Sequence, residues 1–290
     1  MLDFNKIIFE NYKCFKEETI IENIKPINIV IGKNNIGKSS LLDIIEIINN
    51  PLVFWNNRNV KINIEKELTD QEIRKVFHPN TSGGWIGMNH YEYGKRFIGK
   101  NFRFELIVNQ SSYNQELKTI HTKEISNLSD INSEFEERLN TYWKDLSTRL
   151  DYRTKSVKRI YAERNIDPEK ETNSMEISGY GSGITSVINN YLNKAKHNEN
   201  KIRKQLLEKL NEIMGMDAHF TEITTQQVEY GKDDIRWEIF LREENKGRVA
   251  LSKSGSGLKT ILMALVYTIL IPDIEQKDLS DYIFLFEELE

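Results

Sequence analysis

Gly32-Lys33-Asn34-Asn35-Ile36-Gly37-Lys38-Ser39 is the stretch that decides how the rest of this chain is read. It has the G-x-x-x-x-G-K-[ST] pattern, in which glycines let the backbone wrap so that successive N–H groups converge on phosphate oxygens. Upstream, Pro26 precedes Ile27-Asn28-Ile29-Val30-Ile31, a short apolar run of the kind a buried parallel strand shows. Downstream, Ser39-Ser40-Leu41-Leu42-Asp43-Ile44-Ile45-Glu46-Ile47-Ile48 sets apolar residues on one face at helical spacing and stops at Asn49-Asn50-Pro51. Strand, glycine loop and helix is the setting that separates a phosphate-binding loop from a chance turn. The helix starting at Lys38 adds the positive end of its dipole. Lys38 is expected to reach the β- and γ-phosphates of ATP and the Ser39 hydroxyl to coordinate Mg²⁺.

A partner element stands at the other end of the chain. Ile283-Phe284-Leu285-Phe286-Glu287-Glu288 is an apolar run closed by two carboxylates, the form of a Walker B strand. Glu287 is expected in the Mg²⁺ shell, and Glu288 is expected to polarise the attacking water. Just before it, Ser254-Gly255-Ser256-Gly257 opens an apolar helix at about 258–271 that Pro272 is expected to stop. Small residues at a helix start make a second anion-binding surface, although a glycine turn that merely caps a helix has the same look.

Between these ends, Phe4–Phe9 and Cys14–Ile20 read as strands, as do Phe102–Val108, Ser156–Ala162 and Trp237–Leu241. The pattern from about 52 to 100 is weak, with Gly83-Gly84-Trp85-Ile86-Gly87 suggesting an elaborated loop. Residues 130–150 read as a polar helix. Gly179-Tyr180-Gly181-Ser182-Gly183 precedes a helix at about 184–195, and another follows at about 199–214. The charge run Lys194–Lys209 reads first as a solvated face, with contact to DNA phosphates as the alternative.

Composition sets the bounds. At 290 residues, 39% hydrophobic and 29% charged, the chain has the make-up of a globular protein, and a net charge of −4 argues against a wholly basic DNA-coating surface. A single cysteine, Cys14, excludes an intrachain disulfide and a cysteine zinc cluster, and it reads as a small residue in a half-buried strand. The N-terminus lacks the apolar run of a signal peptide, and no stretch is expected to reach the roughly 18 apolar residues of a membrane span. A cytoplasmic protein with no membrane partner is expected.

The three motifs in this order resemble the ABC-type ATPases of the RecF and SMC kind, and most closely the ATPase domain of OLD (overcoming lysogenization defect) proteins and related anti-phage ATPases. The resemblance is carried by Phe9-Glu10-Asn11-Tyr12-Lys13-Cys14-Phe15, Asn34–Leu42, Tyr161-Ala162-Glu163-Arg164, Ser254–Gly257 and Glu287-Glu288-Leu289-Glu290. It implies an α/β P-loop NTPase fold of ABC type over 1–290, with antiparallel N-terminal strands beside a mostly parallel core sheet and a helical insertion at about 130–215.

The nucleotide is then held by Gly32, Lys33, Asn34, Asn35, Gly37, Lys38, Ser39 and Ser40, with Asn11 and Lys13 near its base or phosphates. Ser254, Gly255, Ser256 and Gly257 contact the γ-phosphate bound to a second copy, Glu288 is the catalytic base, and Glu163 and Arg164 lie where a coupling segment could sit. Glu287 departs from the commoner aspartate. In such proteins a D-loop, a switch histidine, the last core strands and, in OLD proteins, a Toprim nuclease domain normally follow the Walker B strand, and none of these is expected within 1–290. The implied function is a homodimeric or higher-order ATP switch for a DNA-directed effector nuclease, in cis or in trans, in anti-phage defence. The alternatives are a nucleotide-gated scaffold with little turnover and a DNA-repair ATPase. A transporter subunit fits poorly, because no coupling glutamine is recognisable.

Overall fold

Alternating apolar residues build one antiparallel sheet from the first strands of the chain. In a computed structural model, residues 4–49, 60–77, 90–109, 114–120, 144–146, 155–231, 233–244 and 246–288 are described. They fall into two units, Met1–Ser156 and Val157–Glu290, each with its own apolar core.

In the first unit, β1 (Lys6–Glu10), β2 (Thr19–Glu22), β3 (Lys61–Glu67), β4 (Asn101–Asn109) and β5 (Asn114–Ile120) form a five-stranded sheet in the order β2-β1-β3-β4-β5. Every neighbouring pair is antiparallel. Register lines Ile21, Ile7, Ile64 and Phe104 into one row across four strands. That row is what the period of two in Ile62 and Ile64, or in Phe102 and Phe104, exists to build. Helix α1 (Lys38–Asn49) adds Ile44, Ile47 and Ile48 to the same core. Helix α2 (Asp70–Val76) starts at a capping box: Thr69 accepts from the Glu72 N–H, and the Glu72 carboxylate accepts from the Thr69 N–H at 3.0 Å. A short helix α3 (His90–Gly94) precedes β4.

In the second unit, β7 (Phe220–Gly231), β8 (Asp234–Glu243) and β9 (Gly247–Ala250) make an antiparallel meander, and β6 (Ser156–Ile160) pairs with β10 (Tyr282–Phe286). Helix α4 (Ile184–Asn193) buries Ile184, Val187, Ile188 and Tyr191. Its N-terminus receives the Glu169 carboxylate, which accepts from the N–H of Gly183, from the N–H of Ser186 at 2.8 Å and from the Ser186 hydroxyl at 2.7 Å. A π-helical Lys201–Leu206 leads into α5 (Leu207–Met214).

Helix α6 (Ser256–Leu265) passes through a π-helical Val266–Leu270 into α7 (Ile271–Glu275). Pro272 therefore does not stop this helix. The wider π turn, in which the Ile271 N–H reaches the Val266 carbonyl, relieves the clash a proline ring makes in regular α-helix. The whole stretch Ser256–Glu275 is 20 residues, long and apolar enough to cross a membrane by length and composition, contrary to the sequence expectation; 50% of its apolar window is buried inside the protein, as in a core helix.

Other expectations change as well. Ile27–Ile31 is not among the strands of the described sheets, and Ile27, Ile29 and Ile31 are 83%, 80% and 90% exposed. The five-stranded sheet of its unit closes through β1 and β3 without it, so its apolar character is not spent on that sheet. The strand expected over Cys14–Ile20 begins only at Thr19. Before it, Tyr12 and Phe15 exchange backbone hydrogen bonds of 2.8 Å around a tight turn. The weak region 52–100 contains β3 and α2. Gly83–Gly87 lies outside the described residues, as does the polar helix at 130–150 apart from helical 144–146. Within the insertion expected over 130–215, β6 and an irregular segment occupy 156–183 of the described residues, and helix resumes at Ile184.

Candidate functional site

The phosphate-binding loop is shaped by its own unit. Asn35 (φ 64°) and Gly37 (φ 106°) take left-handed backbone, which turns the chain sharply into α1. Gly37 is required for a second reason: a Cβ there would lie 2.6 Å from Cys14 Sγ and 2.8 Å from the Phe15 ring. The tight turn carrying Lys13 and Cys14 is thus packed against the loop, and Phe15 is fixed from behind by an edge-to-face contact with Phe9 at 5.2 Å. Cys14 is exposed at this turn rather than half-buried in a strand.

Lys38 Nζ donates to the carbonyls of Gly32 at 2.6 Å and Lys33 at 3.2 Å, which holds the ammonium across the mouth of the loop. Gly32, Lys33, Asn34, Asn35 and Ser39 are exposed. Ser40 is only 8% exposed, so what it can offer a phosphate is confined to its first-turn N–H. The loop fits a nucleotide's phosphates: it presents a lysine, left-handed glycine backbone and a helix start on an accessible surface.

Asn11 and Lys13 both lie in the turn that follows β1. Asn11 is exposed with φ 60°. Lys13 forms an ion pair with Asp43 of α1, and the Tyr12 hydroxyl donates to the same carboxylate at 3.0 Å. In this arrangement Lys13 fastens the turn to α1.

In the second unit, Ser254–Gly257 forms the start of α6. Gly255 is the N-cap without a side-chain cap, so the first N–H groups of the helix keep their donors. A Cβ at Gly255 or Gly257 would have nothing within 4 Å, so this end is open to approach. Ser254 Oγ donates to the Ala250 carbonyl at 3.0 Å, and Lys259 Nζ donates at 2.7 Å both to the Ser252 carbonyl and to Asn165 Oδ1.

The acidic end of β10 is held on both sides. The Glu287 N–H donates to the Ile160 carbonyl at 2.9 Å. Arg159 Nε donates to Glu287 Oε1 at 2.9 Å, Arg159 Nη2 binds the same oxygen, and the Ala162 N–H reaches Oε2 at 3.4 Å. The two side chains are 7% and 12% exposed. Glu287 therefore does not fit as a direct Mg²⁺ ligand in this arrangement: its carboxylate is already neutralised by a buried guanidinium. Among the described residues no group of three or more His, Cys, Asp or Glu side chains is placed to hold a metal. Glu288 is exposed, with φ 44°.

Arg164 reaches three segments at once. Its Nε and Nη2 donate to Thr260 Oγ1 at 3.1 and 2.9 Å, and its Nη1 donates to the carbonyls of Tyr161 and Glu287, each at 2.8 Å. Its Nη2 also binds the Glu288 carbonyl. Burial pulls its pKa down, while the Glu288 and Glu287 charges push against that shift. Sequence reasoning gave Arg159 and Thr260 no part. The signal for Arg159 was a cation inside a strand that runs into the core; for Thr260 there was none.

The phosphate loop belongs to one unit and the two later motifs to the other. No match was found among curated proteins. A protein-family model described as an AAA ATPase domain matches residues 3–290 and so takes in all three motifs. The chain belongs to the AAA ATPase domain family: it is an ATP-binding ATPase domain of the α/β P-loop NTPase fold.

Proposed function

We infer that this chain is an ABC-type ATP switch in which two copies close over ATP, each giving Gly32–Ser39 to one nucleotide and Ser254–Gly257 to the other's. The observation that carries this reading is the open start of α6, whose uncapped N–H groups and unobstructed glycines suit an oxyanion supplied by another molecule.

Lys38 exchanges its hold on the Gly32 and Lys33 carbonyls for the β- and γ-phosphate oxygens. The Ser39 hydroxyl would help to hold the cation that accompanies those phosphates. Mg²⁺, which usually accompanies ATP in such domains, offsets charge on those oxygens when bound. The Glu288 carboxylate takes the proton of the attacking water. Glu287 acts through Arg159, fixing the end of β10.

The motif resemblances extend this reading to a cytoplasmic, OLD-type protein of anti-phage defence that controls a DNA-directed effector nuclease, in cis or in trans. A RecF- or SMC-like role in DNA repair is the neighbouring reading. Glu288→Gln tests the composite site. Sedimentation with ATP and Mg²⁺ is expected to show a stable dimer that retains ATP; a variant that stays monomeric and releases nucleotide overturns it.

One observation favours a second reading, a nucleotide-gated scaffold with slow turnover: the Glu287 carboxylate is occupied by Arg159. Equal assembly size with ATP and with a non-hydrolysable analogue, alongside negligible phosphate release, would select the scaffold.

A further inference from the structure

We propose that Arg164 is a positioning residue that ties helix α6 to the acidic end of β10, so that Glu288 is set for turnover only when the start of α6 is in place. This rests on the ATPase reading above.

Three observations carry it. First, one planar group spans the elements concerned: Arg164 donates twice to Thr260 Oγ1 of α6 and to the carbonyls of both Glu287 and Glu288. A guanidinium is a rigid fork, so displacing Thr260 moves the donors that hold the two carbonyls; a lysine ammonium on a flexible stem cannot transmit a direction in this way. Second, Glu288 sits at φ 44°, a left-handed conformation that non-glycine residues keep only when their surroundings hold them. The Arg164 bond to its carbonyl is such a hold. Third, the adjoining residue repeats the tie: Asn165 Oδ1 accepts from Lys259, which also donates to the Ser252 carbonyl. The segment after β6 is thus fastened to the first turns of α6 at two successive positions, on the helix whose open N-terminus is the candidate oxyanion site.

Thr260 is 5% exposed and its hydroxyl oxygen is the acceptor, so Thr260→Val removes the tie with little change in shape. In the full chain, kcat is expected to fall at least about tenfold, with KM for ATP and the affinity for a fluorescent ATP analogue within about twofold. Backbone amides at the Phe286–Glu288 end of β10 are expected to exchange with deuterium faster. Thr260→Ser should restore both, and Arg164→Lys should behave as Thr260→Val. A purely structural role would instead lower the melting temperature without the split between kcat and KM and without serine rescue.

Unchanged exchange at Glu287 and Glu288 in Thr260→Val overturns the proposal, as does a loss that serine fails to restore. If the parent protein does not hydrolyse ATP, the ATPase reading fails. The exchange measurement still decides the tie, because faster exchange reversed by serine supports it and unchanged exchange removes it.

Discussion

Arg159 and Arg164 hold the same acidic dipeptide by different chemistry, one through the Glu287 side chain and the other through main-chain carbonyls. The difference sets what each loss would do. Removing one member of a buried ion pair leaves an uncompensated charge, which costs about 3–5 kcal/mol. Arg159→Ala is therefore expected to lower unfolding free energy in urea by about that amount, and adding Glu287→Gln should recover part of it, since a neutral amide needs no cation. A loss under about 1 kcal/mol would mark the pair as no stronger than a surface bridge. At this scale the sequence was uneven. Lys38 stands out because a motif announces it, and Glu287 because a strand end does, although the Mg²⁺ role read for Glu287 gives way to its pairing with Arg159. The partner of Glu287 was not legible, because Arg159 lies far away in the chain and only folding brings the two together. Gly37 was legible as a motif position, but its packing against Cys14 and Phe15 was not.

Among elements, those with a strong period were readable: α1, β4, β6, α4 and β10 fall close to where the pattern put them. The capping box at Thr69 and Glu72 is a local signal carried by the sequence itself, a threonine followed three residues later by a glutamate. Its contribution can be measured. Thr69→Ala is expected to cost about 1 kcal/mol, read from denaturant unfolding. Burial pushes the Glu72 pKa up, but hydrogen bonds from Lys66 and Thr69 more than offset this, so the folded value lies below the usual 4.5. A carboxylate lowered on folding stabilises above its unfolded value, and that stabilisation is lost as pH falls through the folded one. Glu72→Gln should therefore flatten the acid side of the stability profile below about pH 4.5. Strand β7 is not legible because Thr224-Thr225-Gln226-Gln227 shows no apolar alternation; its place is set by pairing with β8. Ile27–Ile31 is the opposite case, a run whose composition promised burial that its unit does not supply.

At the scale of the molecule, two cores carry the motifs separately, so nucleotide binding should register first as stabilisation of the loop-bearing unit. ATP at about a hundred times its Kd should add about 2.7 kcal/mol, seen as a raised thermal midpoint in the parent and absent in Lys38→Ala. A midpoint indifferent to ATP in the parent would count against nucleotide binding. The chain also contains two helices that begin after glycine- and serine-rich stretches, α4 and α6, and they look alike as sequence. Glu169 already fills the first with a carboxylate. A solvent rich in phosphate, sulfate and free nucleotide then meets a protein that has taken one of its own attractive ends off the market. Background anions have one fewer false address on this unit, and of the two look-alike helix starts only that of α6 is left without a carboxylate cap.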